Sequence, residues 1–210
     1  MKSILFIGDS ITSGENNSFK SYVDYYKEYN KCDIVNKRAV SGACLDNYSI
    51  YPVDESLFSI ICDIDESYYI PTDIIYLQFG LNDLAAIVSH TTSFEKVTIS
   101  LIRCLDFLKQ IYPDTKVKFL YPTSPENAHT LCVNYVKYLN EDYLNKYFRT
   151  ISQEQFEEDY KLLLDVISNI LEVEMLDKTG EVFSNCFCED NIHPSDRGYS
   201  IIGKNLSVED

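Results

Sequence analysis

Tryptophan is absent from the 210 residues and methionine occurs only twice, while seven glycines and six prolines are spread thinly along the chain. That scarcity excludes a collagen-like repeat and a Pro/Gly/Ser linker between domains. Basic side chains are the other shortage: 18 Lys and Arg stand against 33 Asp and Glu, a formal net charge of −15 at pH 7. A field of that sign repels phosphate backbones and anionic headgroups, and no Lys/Arg run makes a local exception. Nucleic acid and membrane surfaces are therefore not expected partners. Apolar runs are short as well. The opening Ile4-Leu5-Phe6-Ile7 is too brief for a signal-peptide core, and no stretch approaches the ~18 apolar residues of a membrane helix. The seven cysteines, Cys32, Cys44, Cys62, Cys104, Cys132, Cys186 and Cys188, are odd in number and scattered, unlike the even framework of a disulfide scaffold. A cytoplasmic, reducing location is the expectation.

What is present is an ordinary globular composition, 45% hydrophobic and 24% charged, in a chain long enough for one domain that buries roughly 70% of its unfolded surface. Ile4–Ile7 is fully apolar and stops at Gly8-Asp9-Ser10, the pattern of a parallel strand buried on both faces. Phe19, Tyr22, Val23, Tyr26 and Tyr29 recur at helical spacing over 18–29. A second strand is read at 33–36, leading into the loop Ala39-Val40-Ser41-Gly42-Ala43, and a third at 74–79, leading into Gly80-Leu81-Asn82-Asp83. Val97, Leu101, Leu105, Leu108 and Ile111 mark a helix face closed by Pro113. A fourth strand at 117–121 is followed by helical patterns over 128–148 and 153–170, and a fifth strand over 172–176. A terminal helix over 194–206 would begin on Pro194, a residue favoured at the first helical position.

Strand and helix alternate throughout, which predicts a three-layer α/β/α sandwich, flavodoxin-like, with a central parallel sheet of about five strands. Residues 1–210 are read as one domain with a helical insertion at about 126–168. In such sheets ligands bind outside the carboxyl ends of the strands, so the loops at Gly8, Gly42 and Gly80 should converge on one rim.

Four blocks then stand in order: Gly8-Asp9-Ser10-Ile11-Thr12, the loop holding Gly42, Gly80-Leu81-Asn82-Asp83, and Asp190-Asn191-Ile192-His193-Pro194. A serine hydroxyl becomes a nucleophile only beside a base that a third group orients. His193 offers that base, with Asp190 three residues earlier, close enough in a tight turn to accept the imidazole N–H. Together the blocks resemble the SGNH/GDSL hydrolase superfamily of esterases and lipases, named for its Ser, Gly, Asn and His. The resemblance implies a catalytic triad of Ser10, Asp190 and His193. It implies an oxyanion hole of the Ser10 and Gly42 backbone N–H groups and the Asn82 side-chain amide, with Asp9, Gly80 and Asp83 as supporting positions. It further implies a serine esterase working through an acyl-enzyme. A small O-acetyl group on a carbohydrate is the first choice of substrate, because no apolar lid or interfacial amphipathic segment suggests a lipid surface and a single α/β domain with strand-end loops offers an open, shallow site.

Other readings keep a place at this stage. The same site could serve a lysophospholipase, a thioesterase or an acyltransferase, and a carbohydrate-binding protein could keep the fold without turnover. Cys186 and Cys188 with Asp190 and His193 are zinc-ligand types, but C-x-C without a second cysteine pair is not the usual spacing, and these thiols are expected to be buried or inert. His90 and His129 lie outside any motif. No G-x-G-x-x-G, G-x-x-x-x-G-K-[ST], H-E-x-x-H or G-x-S-x-G occurs, so neither a cofactor nor a metal is expected. The seventeen tyrosines are read as packing, and the oligomeric state is not legible.

Overall fold

The computed structural model describes residues 2–18, 20–31, 34–46, 56–67, 70–121, 128–138, 140, 152–175, 186–190 and 192–207. Five strands, β1 (Ser3–Gly8), β2 (Ile34–Ala39), β3 (Ile74–Gln78), β4 (Lys116–Tyr121) and β5 (Glu172–Met175), pair in parallel in the order β2-β1-β3-β4-β5. The apolar runs lie at its centre: Ile4, Phe6 and Ile7 of β1 and Ile75 and Leu77 of β3 have no exposed surface, as strands covered on both faces require. β2 reaches three residues beyond the predicted Asn36, because each residue from Ile34 to Ala39 pairs with one of Ser3–Gly8. It is an edge strand, where Lys37 and Arg38 are tolerated.

The described helices are α1 (Ser10–Ser13), α2 (Tyr22–Tyr29), α3 (Leu57–Ser67), α4 (Leu81–Val88), α5 (Phe94–Ile111), α6 (Ala128–Tyr138), α7 (Gln153–Ser168) and α8 (Asp196–Ser207). From β1 the chain steps outward to β2, then returns across the sheet to β3, β4 and β5. Right-handed crossovers put α1 and α2 on one face and α3 to α7 on the other. The first layer is completed by α8, which packs along α2. Phe6 anchors it, edge-on to the rings of Tyr22 (5.8 Å) and Tyr26 (5.5 Å) and stacked on Tyr76 (5.1 Å). In the second layer α3 packs on α5, and α7 packs on both α4 and α6.

Beyond β2, several helices differ from the sequence reading; α2, for one, starts at Tyr22 and not at 18. α4 starts immediately after Gly80, so Asn82 and Asp83 lie in the first turn of a helix, not in a loop. Leu81 to Ile87 are all buried, but eight residues directly after a turn glycine are too few to establish a helical period against a loop reading. α3 was not anticipated, although Leu57, Ile60 and Ile61 are buried at helical spacing. The terminal helix starts at Asp196 instead of Pro194, because Pro194 is held in an antiparallel bridge with Phe187. Of the helical pattern over 128–148, the part after Tyr138 lies outside the described residues apart from Asn140, as does the start of the expected insertion at 126–127. No helix among the described residues is long and apolar enough to cross a membrane.

Candidate active site

Sheet order decides where the site is. β1 lies between β2 and β3, so the chain leaves β1 toward one neighbour and later returns to the other, which makes the carboxyl end of β1 the topological switch point. Ser10 stands there as the first residue of α1. Asp9 caps that helix, its carboxylate accepting the Ile11 N–H at 3.0 Å. The Ser13 hydroxyl binds the Ser10 carbonyl (2.9 Å) and approaches Ser41 Oγ (3.3 Å), tying the turn to the loop after β2.

The approach of the distant C-terminal segment completes the cluster. Residues 186–190 and 192–195 lie back to back: the Cys188 N–H donates to the His193 carbonyl (2.8 Å) and the Ser195 N–H to the Cys186 carbonyl (2.7 Å). Inside this turn Asp190 Oδ1 accepts the backbone N–H groups of Ile192 (2.9 Å) and His193 (3.0 Å). Its other oxygen, Oδ2, lies 2.6 Å from His193 Nδ1, and His193 Nε2 lies 2.8 Å from Ser10 Oγ. A carboxylate has no proton to give, so Nδ1 donates to Asp190 and Nε2 is left as the acceptor for the Ser10 hydroxyl.

This geometry sets the electrostatics. Burial alone would raise the Asp190 pKa, but the bond from His193 and the Ile192 N–H outweigh it and hold it down at about 2. Burial alone would lower the His193 pKa. The Asp190 hydrogen bond and charge overcome that, aided by Glu15 and Asp9, and its pKa lies above the ordinary histidine value. Beneath the cluster two carboxyl groups are sealed from water: burial pushes Asp9 and Asp83 each up to about 7.

Asn82 and Gly42 belong to a neighbouring unit. Gly42 sits third in a turn closed by the Ala43 N–H to the Val40 carbonyl (3.1 Å), at φ 82. This left-handed backbone is open to glycine at little cost. The first turn of α4 clamps the segment after Gly42: Asn82 Nδ2 donates to the Ala43 carbonyl (3.1 Å), and Asp83 Oδ1 accepts from the N–H groups of Leu45 (2.8 Å) and Asp46 (3.3 Å). Asp46 in turn accepts from Thr92 and Ser100, both at 2.7 Å. The Gly42 turn and the Asn82 amide are therefore one rigid piece. Gly80, at φ 122, is the N-cap residue of α4.

Two residues in these contacts were not foreseen. Asn16, at φ 60, donates from Nδ2 to Asp190 Oδ2 at 2.7 Å and lies 3.3 Å from His193 Nδ1. Tyr135 on α6 donates its hydroxyl to Asn82 Oδ1 at 3.0 Å. The sequence hint for Asn16 is slight: asparagine tolerates left-handed backbone and suits a turn after Gly14. Nothing local distinguishes Tyr135 from the other helical tyrosines. His90 lies at the surface in the turn after α4, away from these contacts. Among the described residues no three His, Cys, Asp or Glu side chains gather as metal ligands. No disulfide joins the six described cysteines; Cys186 is buried and Cys188 half-buried.

Comparisons with known proteins agree with the architecture. A structure from Agrobacterium tumefaciens strain C58 that carries an arylesterase name is 17% identical, with a TM-score of 0.62 over 99% of this chain and 97% of that one. A member of the lipolytic G-D-S-L family from Veillonella parvula is 16% identical, TM-score 0.59, over 99% and 97%. A carbohydrate esterase family 2 enzyme with a carbohydrate-binding domain, from Corynascus, is 16% identical, TM-score 0.55, over 99% of this chain and 64% of that one. No curated protein sequence matches. At such identities the likeness is one of fold. The GDSL-like lipase/acylhydrolase family matches residues 6–201, and the chain belongs to that family.

Proposed function

We propose that the protein is a serine esterase that cleaves a small acyl group, an O-acetyl group by preference, from a polar alcohol such as a carbohydrate. One observation carries the reading: the relay from Ser10 Oγ to His193 Nε2 at 2.8 Å and from His193 Nδ1 to Asp190 at 2.6 Å. Ser10 Oγ attacks the acyl carbon while its proton passes to His193 Nε2, and Asp190 stabilises the imidazolium. Negative charge gathers on the former carbonyl oxygen, which the N–H groups of Ser10 and Gly42 and the Asn82 amide neutralise. The intermediate collapses by expelling the alcohol, which takes the proton from His193. Water then attacks the acyl-serine, again giving a proton to His193, and the acid leaves as Ser10 recovers it.

The polar-alcohol preference draws support from where apolar surface is found. Among the described residues, the exposed large apolar side chains are scattered: Tyr29 on α2, Ile34 on β2, Phe58 on α3, Ile70 before β3, Ile99 and Ile102 on α5, and Leu162 on α7. None belongs to segments 9–18, 40–46 or 186–195, so the described rim offers little to a lipid chain. The Corynascus neighbour's name, a carbohydrate esterase, points the same way.

The test is turnover of p-nitrophenyl acetate beside Ser10→Ala, with a loss on the order of 10⁴–10⁶-fold expected. Equal rates would end the esterase reading. A panel of acetylated sugars, lysophospholipids and acyl-thioesters then ranks substrates. Higher kcat/KM on either of the last two would overturn the carbohydrate assignment, and product formed only with an added alcohol acceptor would make the protein a transferase.

A further inference from the structure

We propose that Tyr135 is a positioning residue for the oxyanion amide, an inference that rests on the esterase reading above. An asparagine amide turns about a broad, roughly two-fold torsion, so an oxyanion donor of this type must be held by something outside itself. Here both ends are held. Asn82, 6% exposed, places Nδ2 against the Ala43 carbonyl at 3.1 Å and Oδ1 against the Tyr135 hydroxyl at 3.0 Å. Nδ2 carries two hydrogens. One is spent on Ala43, and the other is the one available to a substrate.

Tyr135 acts on that second hydrogen in two ways. It stops the carboxamide from rocking, so the donor keeps its direction without being ordered anew in each turnover. It also draws electron density toward Oδ1, which polarises the amide and strengthens Nδ2–H as a donor, as in any chain of hydrogen bonds in a low-dielectric interior. The tyrosine is itself fixed: it is 3% exposed, and its ring lies against Phe156 of α7, centroids 5.6 Å apart. α7 also packs on α4, the helix that bears Asn82. The helices between β4 and β5 thereby acquire a role as a brace behind the oxyanion hole.

Tyr135→Phe removes only the hydroxyl. The experiment measures kcat and KM on p-nitrophenyl acetate for Tyr135→Phe, Asn82→Ala and the double variant, with Ser10→Ala as reference. Rates are normalised to the concentration of folded protein, read from near-ultraviolet circular dichroism and the thermal melt, so that only folded molecules count. Expected values are a fall of roughly 100-fold in kcat for Asn82→Ala and of about tenfold for Tyr135→Phe, a loss worth one hydrogen bond. KM should stay within about twofold, and adding Tyr135→Phe to Asn82→Ala should cause no further loss. A tyrosine that merely props the fold would cost the same factor in both backgrounds, and that result, or wild-type kcat in Tyr135→Phe, overturns the proposal. Wild-type activity in Ser10→Ala would instead remove the esterase reading beneath it.

Discussion

At the scale of single residues, Asp190 does three jobs with two oxygens: Oδ1 takes the two backbone N–H groups of its own turn, while Oδ2 takes His193 and Asn16. Four donors on one carboxylate keep it ionised far below neutrality, and its charge raises the pKa of His193. For a base that works as neutral imidazole, a raised pKa means that activity disappears sooner on acidification. kcat/KM should therefore fall about tenfold per pH unit below a midpoint that lies above the unperturbed value of about 6.5. A profile recorded from about pH 5 to 9 checks this; a midpoint below 6.5, or a flat profile, would show that another group is the base. The types Ser10, Asp190 and His193 were legible because two of them lie three residues apart in a turn-forming segment. Asn16 was not, since its partner Asp190 is 174 positions away and an asparagine in a polar loop carries no local mark of its contact.

Among the elements, the packing of α8 on α2 governs the site indirectly, because α8 begins three residues after His193. The two helices touch where Gly203 has no side chain: a methyl group there would meet the Tyr22 carbonyl oxygen at 2.6 Å and the Tyr26 nitrogen at 2.8 Å. These are backbone atoms held in the hydrogen-bond ladder of a helix and cannot swing aside. Gly203→Ala should lower stability by about 1–3 kcal/mol, seen as a fall of roughly 2–12 °C in Tm, while folded molecules keep their turnover. An unchanged Tm would mean that the helices separate without cost. Strands, and helices with a wet face, were readable from pattern alone, and so α5 and the parallel sheet were foreseen. α4 was missed because eight residues directly after a turn glycine are too few to establish a period, and Pro194 was misplaced because an antiparallel bridge to Phe187 outweighs its helix-starting preference.

Over the whole molecule the charge is −15, and near neutrality the shifted groups of the site push stability in one direction. Asp9 and Asp83 hold their protons to about pH 7 when folded and release them near 3.8 when unfolded, so the folded state binds more protons between those values and loses stability as pH rises through them. His193, raised in the folded state, adds stability that is complete below its unfolded pKa and is lost as pH rises through the folded one. Asp190, lowered to about 2, contributes fully above its unfolded pKa and is flat at neutrality. Tm should accordingly rise as pH is brought from about 8 to about 5.5. A constant or falling Tm over that range would contradict the burial of the two acids.

The amino-acid sequence by itself determined the alternation of strands and helices, the glycine turns at strand ends and the kinds of side chain available for chemistry, because each depends on neighbours a few positions apart. Only the tertiary structure decided that Ser10 meets His193 across 183 positions, that Asn16 shares their carboxylate and that Tyr135 reaches Asn82. Those contacts depend on the order β2-β1-β3-β4-β5, and strand order is chosen by the burial of the entire core, a sum over the chain that no short stretch contains.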